Sequence, residues 1–269
     1  MDGFTMDGVT EQLVIEKKDG VGYIRFDNQA KRNAMTYEMW HDLPAVLDDF
    51  DADDNVRVVV VSGQGGKAFC AGADISQFEK NRSTEEGVKI YNAATEEASH
   101  RLRTFPKPTI AKIEGPCVGG GVGIATCCDM RIAEEGAIFA IPAAKLGLGY
   151  RVDGLKPFVD LVGPSYAKEI FYTARPFTAQ EAKEMGMVNR VLPRPMLNPY
   201  IDDYTRRIAE NAPLTIKAVK VIVAESLKDD ASRDMDLCAQ VVKDCFDSAD
   251  YKEGRTAFME KRKPQFKGK

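Results

Sequence analysis

Two glycine-rich turns are the residues in this chain best placed to do chemistry. The first runs Gly63-Gln64-Gly65-Gly66-Lys67-Ala68-Phe69-Cys70-Ala71-Gly72-Ala73-Asp74-Ile75. The second runs Gly115-Pro116-Cys117-Val118-Gly119-Gly120-Gly121-Val122-Gly123. Small residues let a backbone approach a ligand closely, and three glycines entering a helix present free amide donors. Two such donors converging from separate strand ends would stabilise an oxygen that becomes negative during a reaction. Neither turn is a phosphate-binding P-loop. The first lacks the Gly-Lys-Ser/Thr ending at the required spacing, and the second has no lysine. Neither gives the dinucleotide fingerprint in a strand–turn–helix setting.

The elements that must position these turns are legible. Residues 12–17 and 21–26 read as strands around Asp19-Gly20, a turn pair. Val56 to Val61 is almost continuously apolar and β-branched, the pattern of a strand buried on both faces. Met35, Met39, Leu43, Val46, Leu47 and Phe50 recur at helical spacing, with Asn33 as candidate cap and Pro44 as a source of a kink. A further helix is expected from about Thr84 to Leu102, and a further strand from Thr109 to Glu114. This alternation predicts an α/β core. Segments 199–211, 214–227, 231–247 and 250–260 read as helices. We therefore expect a core over residues 1–205 and a helical C-terminal subdomain over 206–269. That subdomain is too small to bury its own apolar stripe, and must pack on the core or on a neighbouring subunit.

The composition excludes several classes. With 269 residues, 44% of them hydrophobic and 29% charged, the chain suits an ordinary globular protein. A formal charge of −4 argues against a nucleic-acid binder. Only His41 and His100 are available, so a histidine-built metal site or triad is not expected. The six cysteines match neither a disulfide framework nor a zinc site. Buried, reduced thiols in a cytoplasmic protein are the simplest reading. No apolar run suggests a signal peptide or membrane span.

The two turns resemble the signature of the crotonase family, the enoyl-CoA hydratase/isomerase superfamily. The similarity covers essentially the whole chain. It takes in Arg32-Asn33-Ala34-Met35, Cys128-Asp129, Lys145-Leu146-Gly147-Leu148-Gly149, Phe177 to Ala182, Gly186 to Asn189 and Glu253 to Phe258. The resemblance implies a spiral of ββα units with a helical, trimerising C-terminal region, in trimers or hexamers. It implies an acyl-CoA thioester substrate, as in fatty acid metabolism, with coenzyme A as part of that substrate and no tightly bound cofactor. The thioester oxygen would lie between the N–H groups of Ala73 and Gly120. Arg32, Ala34, Ala71, Asp74 and Ile75 would contact coenzyme A. Phe258 and Lys261 would reach the nucleotide, in some members from an adjacent subunit.

The same resemblance exposes a gap. A hydratase of this family carries two glutamates, at positions that here are Gly123 and Ala143. The isomerase arrangement would need its base at Ala143. Glycine and alanine transfer no protons. The nearest candidates are Tyr150, which could orient a water or a carboxylate, and Asp153, which could equally cap the helix from Leu155 to Val162. Arg151 could pair with Asp153 or with an acyl carboxylate. Asp129 is expected to be a buried structural acceptor, and Cys70 inert packing. Phe78, Ile141 and Tyr166 are guesses for the pocket wall. Hydration or isomerisation of an enoyl thioester comes first, a decarboxylase or thioester hydrolase second, and a non-catalytic acyl-CoA-binding oligomer third.

Overall fold

The computed structural model describes residues 6–77 and 83–269; Phe78 lies outside them. Strands β1 (Leu13–Lys18) and β2 (Val21–Phe26) pair antiparallel, Leu13 opposite Phe26. Their turn places Asp19 and Gly20 at positive φ, the geometry that matches strand twist in a two-residue hairpin. β3 (Val58–Gly63), β4 (Thr109–Ile113), β6 (Met130–Glu134) and β9 (Arg190–Leu192) add in parallel, giving the order β1-β2-β3-β4-β6-β9. A small sheet holds β5 (Pro116–Val118), β7 (Ile138–Ala140) and β8 (Phe177–Thr178).

The valine run of β3 is buried on both faces, as its composition requires. Val59 and Val61 join the main core. Val58 and Val60 point the other way, onto Leu197 and Ile201 of helix α6 (Arg194–Ala209). Helices α1 (Tyr37–Ala52), α2 (Glu85–Arg103), α3 (Gly120–Cys127) and α4 (Val152–Thr173) contribute their apolar faces to the main core.

The chain winds as a spiral. β4 enters the large sheet and β5 the small one; β6 and β7 repeat the step. An earlier turn does the same with less regularity: β3 lies in the large sheet, and Cys70 bridges Cys117 of β5 in parallel. The first glycine-rich turn is thus an incomplete strand of the small sheet.

Several expectations need correction. Thr36, not Asn33, caps α1, its hydroxyl accepting from Met39 N. Asn33 is buried at positive φ, with a different task. Its Nδ2 donates to Gln64 O (3.0 Å) and Ala68 O (2.8 Å), and its Oδ1 accepts from Asn28 N (3.2 Å). Helix α1 runs through Pro44 as one element. Asp129 is not buried; its carboxylate accepts from Thr109 N and from Lys220 Nζ, both at 2.8 Å. α6 starts at Arg194, five residues before the expected position, with a proline in its first turn, where the missing N–H costs nothing. Beyond it lie α5 (Ala179–Glu184) upstream, and α7 (Pro213–Ser226), α8 (Met235–Asp247) and α9 (Ala249–Glu260) downstream. Helix α6 spans position 205 without a break.

Asn33 is the side chain on which the first glycine-rich turn is hung. Replacing it with alanine removes a donor from two carbonyls, at least one of them deeply buried. Asn33→Ala is expected to cost about 2 kcal/mol, read as a lower midpoint in urea unfolding.

Candidate active site

The first turn is pinned on both sides of Ala73. Met35 N donates to Gly72 O, and Asp74 N donates to Met35 O, both at 2.8 Å. In such a parallel bridge the intervening residue turns its own N–H away, so Ala73 N–H faces the opposite side. The second turn is pinned by Val118 N to Cys70 O (2.9 Å) and Gly119 N to Ala140 O (2.8 Å). Gly120 then opens α3, where the first amides have no acceptor within the helix. Among the described residues neither Ala73 N nor Gly120 N donates to a protein acceptor.

The two donors flank one small space. A Cβ placed on Gly120 would lie 3.7 Å from Ala73 N and 3.3 Å from Trp40 Cζ2. A Cβ placed on Gly72 would lie 3.7 Å from Gly120 N. Glycine is obligatory next door, because a Cβ on Gly121 would sit 2.5 Å from Cys70 O and 2.9 Å from Cys70 Cβ. That contact sets how closely the helix start can approach the first turn.

These turns line a cleft of about 1050 Å³. Ala71, Ala73, Ile75, Gly120, Tyr150 and Asp153 all line it, as do Gly123 and Ala143. A Cβ on Gly123 would meet nothing within 4 Å. Arg32 and Ala34 are on the supporting side: Arg32, at positive φ, accepts from Ala71 N through its carbonyl, and Ala34 is buried. Asp74 is buried too. Burial would push its carboxyl up, but hydrogen bonds from Lys31 Nζ (2.8 Å) and Ser76 outweigh that and hold it below the usual range. Ile75 is 72% exposed beside them. The Tyr150 ring packs edge-on to Phe171 at 4.8 Å, and desolvation pushes its phenol up.

Other expectations move. Asp153 lies in the first turn of α4, but Arg151 occupies the cap position. Arg151 pairs with Glu96 of α2 rather than with Asp153. Ile141 is fully buried in the core, and Tyr166 is absent from the cleft wall. Phe258, 82% exposed, and Lys261, the left-handed residue ending α9, lie away from this cleft in their own chain. Phe258 instead lines an apolar groove of about 640 Å³ between α7, α8 and α9. The polar face of α2, with Asn92, Glu96, Ser99 and His100, forms a cleft wall that motif reading missed. Only the amphipathic pattern of that helix hinted at it. Among the described residues, no cluster of three or more His, Cys, Asp or Glu is placed to hold a metal, and no helix is long and apolar enough to cross a membrane.

Cys70 is fully buried behind the first turn, and desolvation pushes its thiol up to about 12. Cys117, Cys127 and Cys128 are buried and raised as well. A thiol so far above ambient pH is a poor nucleophile. Iodoacetamide at pH 8 is expected to leave all four unmodified in the folded protein and to label them after denaturation, as read by peptide mass spectrometry.

The family model described as enoyl-CoA hydratase/isomerase matches residues 16–269. A crotonyl-CoA hydratase of Syntrophomonas wolfei is 32% identical over 95% of this chain and 98% of its own. A short-chain-enoyl-CoA hydratase of Clostridium acetobutylicum is 32% identical over 93% and 95%. Among solved structures, an enoyl-CoA hydratase from Bacillus anthracis superposes with a TM-score of 0.90 at 30% identity, over 96% of this chain and 100% of that one. An enoyl-CoA hydratase/carnithine racemase from Magnetospirillum magneticum gives 0.89 at 31% identity, over 97% of each. The pinned turns, the spiral and these matches agree: the chain has the crotonase fold, belongs to the enoyl-CoA hydratase/isomerase family, and is an acyl-CoA-binding enzyme of that class.

Proposed function

We propose that this enzyme polarises the carbonyl of an enoyl- or 3-hydroxyacyl-CoA thioester through Ala73 N–H and Gly120 N–H, and adds or removes water across the adjacent carbon–carbon bond. The observation that carries this is the pair of unsatisfied amides flanking one space in the cleft. Charge growing on the thioester oxygen would meet both donors, and each such donor is worth about 3–4 kcal/mol in a transition state. Coenzyme A would run past Ala71, Asp74 and Ile75, with Arg32 and Ala34 shaping that edge. Phe258 and Lys261 would contribute from a second copy. The exposed apolar residues Val219, Val223, Leu227, Phe246 and Phe258 support a homo-trimer built through the C-terminal helices, or a hexamer of two trimers.

The positions where the family's hydratases carry glutamates are read here as Gly123 and Ala143, so the proton chemistry is non-standard. Tyr150, exposed on the cleft wall, would orient the water, and Asp153 follows three residues later in the first turn of α4. The absence of ionisable groups at Gly123 and Ala143 also favours a second reading. A decarboxylase, or a thioester hydrolase, would lean on the same two amides and need less proton transfer by side chains.

A mass-resolved turnover assay with enoyl-, 3-hydroxyacyl-, malonyl-type and aromatic acyl-CoA separates these. Gain or loss of water is expected; release of carbon dioxide or free coenzyme A would establish the second reading instead. Binding without any product would leave an acyl-CoA-binding oligomer. Tyr150→Phe is expected to keep coenzyme A affinity and lower kcat by about 10-fold or more; unchanged kcat would remove the phenol from the mechanism.

A further inference from the structure

Helices α2 and α3 both lie on crossovers between neighbouring parallel strands of the large sheet: β3 to β4 through α2, and β4 to β6 through β5 and α3. The two helices therefore run in the same direction. They pack against each other, and both present residues to the cleft, Asn92, Glu96 and Ser99 from α2 and Gly123, Thr126 and Cys127 from α3. Glu96 lies one turn before Ser99 on α2, and Gly123 one turn before Cys127 on α3, about 4.5 and 6 Å along their helices. Gly123 leaves open space, and Glu96 lines the same cleft. Acidic side chains on the described cleft wall are Glu96, Glu97 and Asp153. Of these, Glu96 alone is tied across the cleft, by Arg151 Nη1 at the start of α4.

We infer that Glu96 is the catalytic carboxylate of this enzyme, delivered from α2 into the space that Gly123 leaves open, with Arg151 as its positioning residue. This rests on the thioester-polarising reading of Ala73 and Gly120. In hydration, Glu96 takes a proton from water as the water oxygen bonds to the β-carbon. The π pair of the carbon–carbon double bond moves through the α-carbon onto the thioester oxygen, where the two amides hold the enolate charge. The protonated Glu96 then returns the proton to the α-carbon, and the thioester carbonyl re-forms. In the reverse direction the same carboxylate takes the α-proton, and the enolate expels hydroxide, which recovers that proton as water. No oxidant or other co-reactant is needed. Arg151 aims the carboxylate, and would release it as the acyl group enters.

Two readouts on the full-length protein separate the carboxylate from the amides. A conjugated aryl thioester, cinnamoyl-CoA, shifts its absorbance to the red when its carbonyl is polarised, with no base required. Wash-in of deuterium at the α-carbon of butyryl-CoA, read by mass spectrometry in heavy water, requires the base as well. Wild type is expected to give both. Glu96→Gln is expected to keep the red shift and lose exchange by about 100-fold or more. Glu96→Ala is expected to regain part of the exchange when formate is added, a response that a purely structural side chain would not give. Exchange in Glu96→Gln equal to wild type overturns the assignment. A red shift without exchange in wild type also overturns it while leaving the amide reading intact. No red shift in wild type overturns the amide reading, and Glu96 falls with it. Loss of both signals in Glu96→Gln, with no formate response in Glu96→Ala, marks Glu96 as a wall residue and overturns its catalytic role.

Discussion

The contact between Gly121 and Cys70 is the constraint on which the site depends. A helix start and a turn from a different layer meet with no room for a single carbon between them. Glycine permits that approach, and backbone bonds from Val118 N to Cys70 O and from Phe69 N to Pro116 O lock it. Everything useful follows from the locking. Ala73 N–H is turned outward by its pinned neighbours, Gly120 N–H is freed by its position at a helix start, and both face one space. Donors fixed in this way would need no reorganisation as charge developed on a thioester oxygen, which is what the proposed role draws on. Behind them Asn33 ties the loop at two carbonyls, and Cys70 fills space as an inert apolar group.

This constraint explains what the sequence made legible. Buried β-branched runs and small-residue turns are local signals, so β1, β2, β3 and β4 fall within a residue or two of their expected bounds. The two converging turns were legible because glycine patterns report backbone geometry directly, whereas Ala73 and Gly120 as the particular donors came from the family resemblance. Asn33 was misread as a cap because its neighbours are polar and helix-preceding, while its partners, Gln64 and Ala68, lie some thirty residues away. The acidic wall was missed for the same reason. Glu96 looks like any charged residue on an amphipathic helix until α3 and the start of α4 are folded against it.

The C-terminal helices show the reverse case. Their periodicity was plain, and so was the prospect that they could not bury their own stripe. What no pattern could give is how they are tied to the sheet. Lys220 of α7 donates to Asp129 Oδ2 and to Lys107 O, so the carboxylate that receives Thr109 N also holds the tail. The Asp129 side chain stays half-open because it serves a partner arriving from ninety residues further along. That tie fixes the groove carrying Phe258 relative to the core, and with it the geometry any second copy would have to meet.

Backbone and side-chain chemistry are separable in this architecture, and the separation has a consequence. Amides at Ala73 and Gly120 cannot be deleted by substitution of a side chain, so the proposed enolate-holding role would survive side-chain change around them. The proton-transferring group has no such protection and no fixed address. Any wall that reaches the α- and β-carbons of the bound acyl group can supply it. Among the described residues, α2, α3 and the segment leading into α4 all line the cleft. Glycine at 123 leaves α3 silent, and the ion pair between Glu96 and Arg151 spans the other two. That pair fixes where the carboxylate points, and a general base must first be within hydrogen-bond reach of the proton it takes. Gly123 brings no side chain from its own helix, and the space beside it is where the proposed base on a neighbouring helix would work.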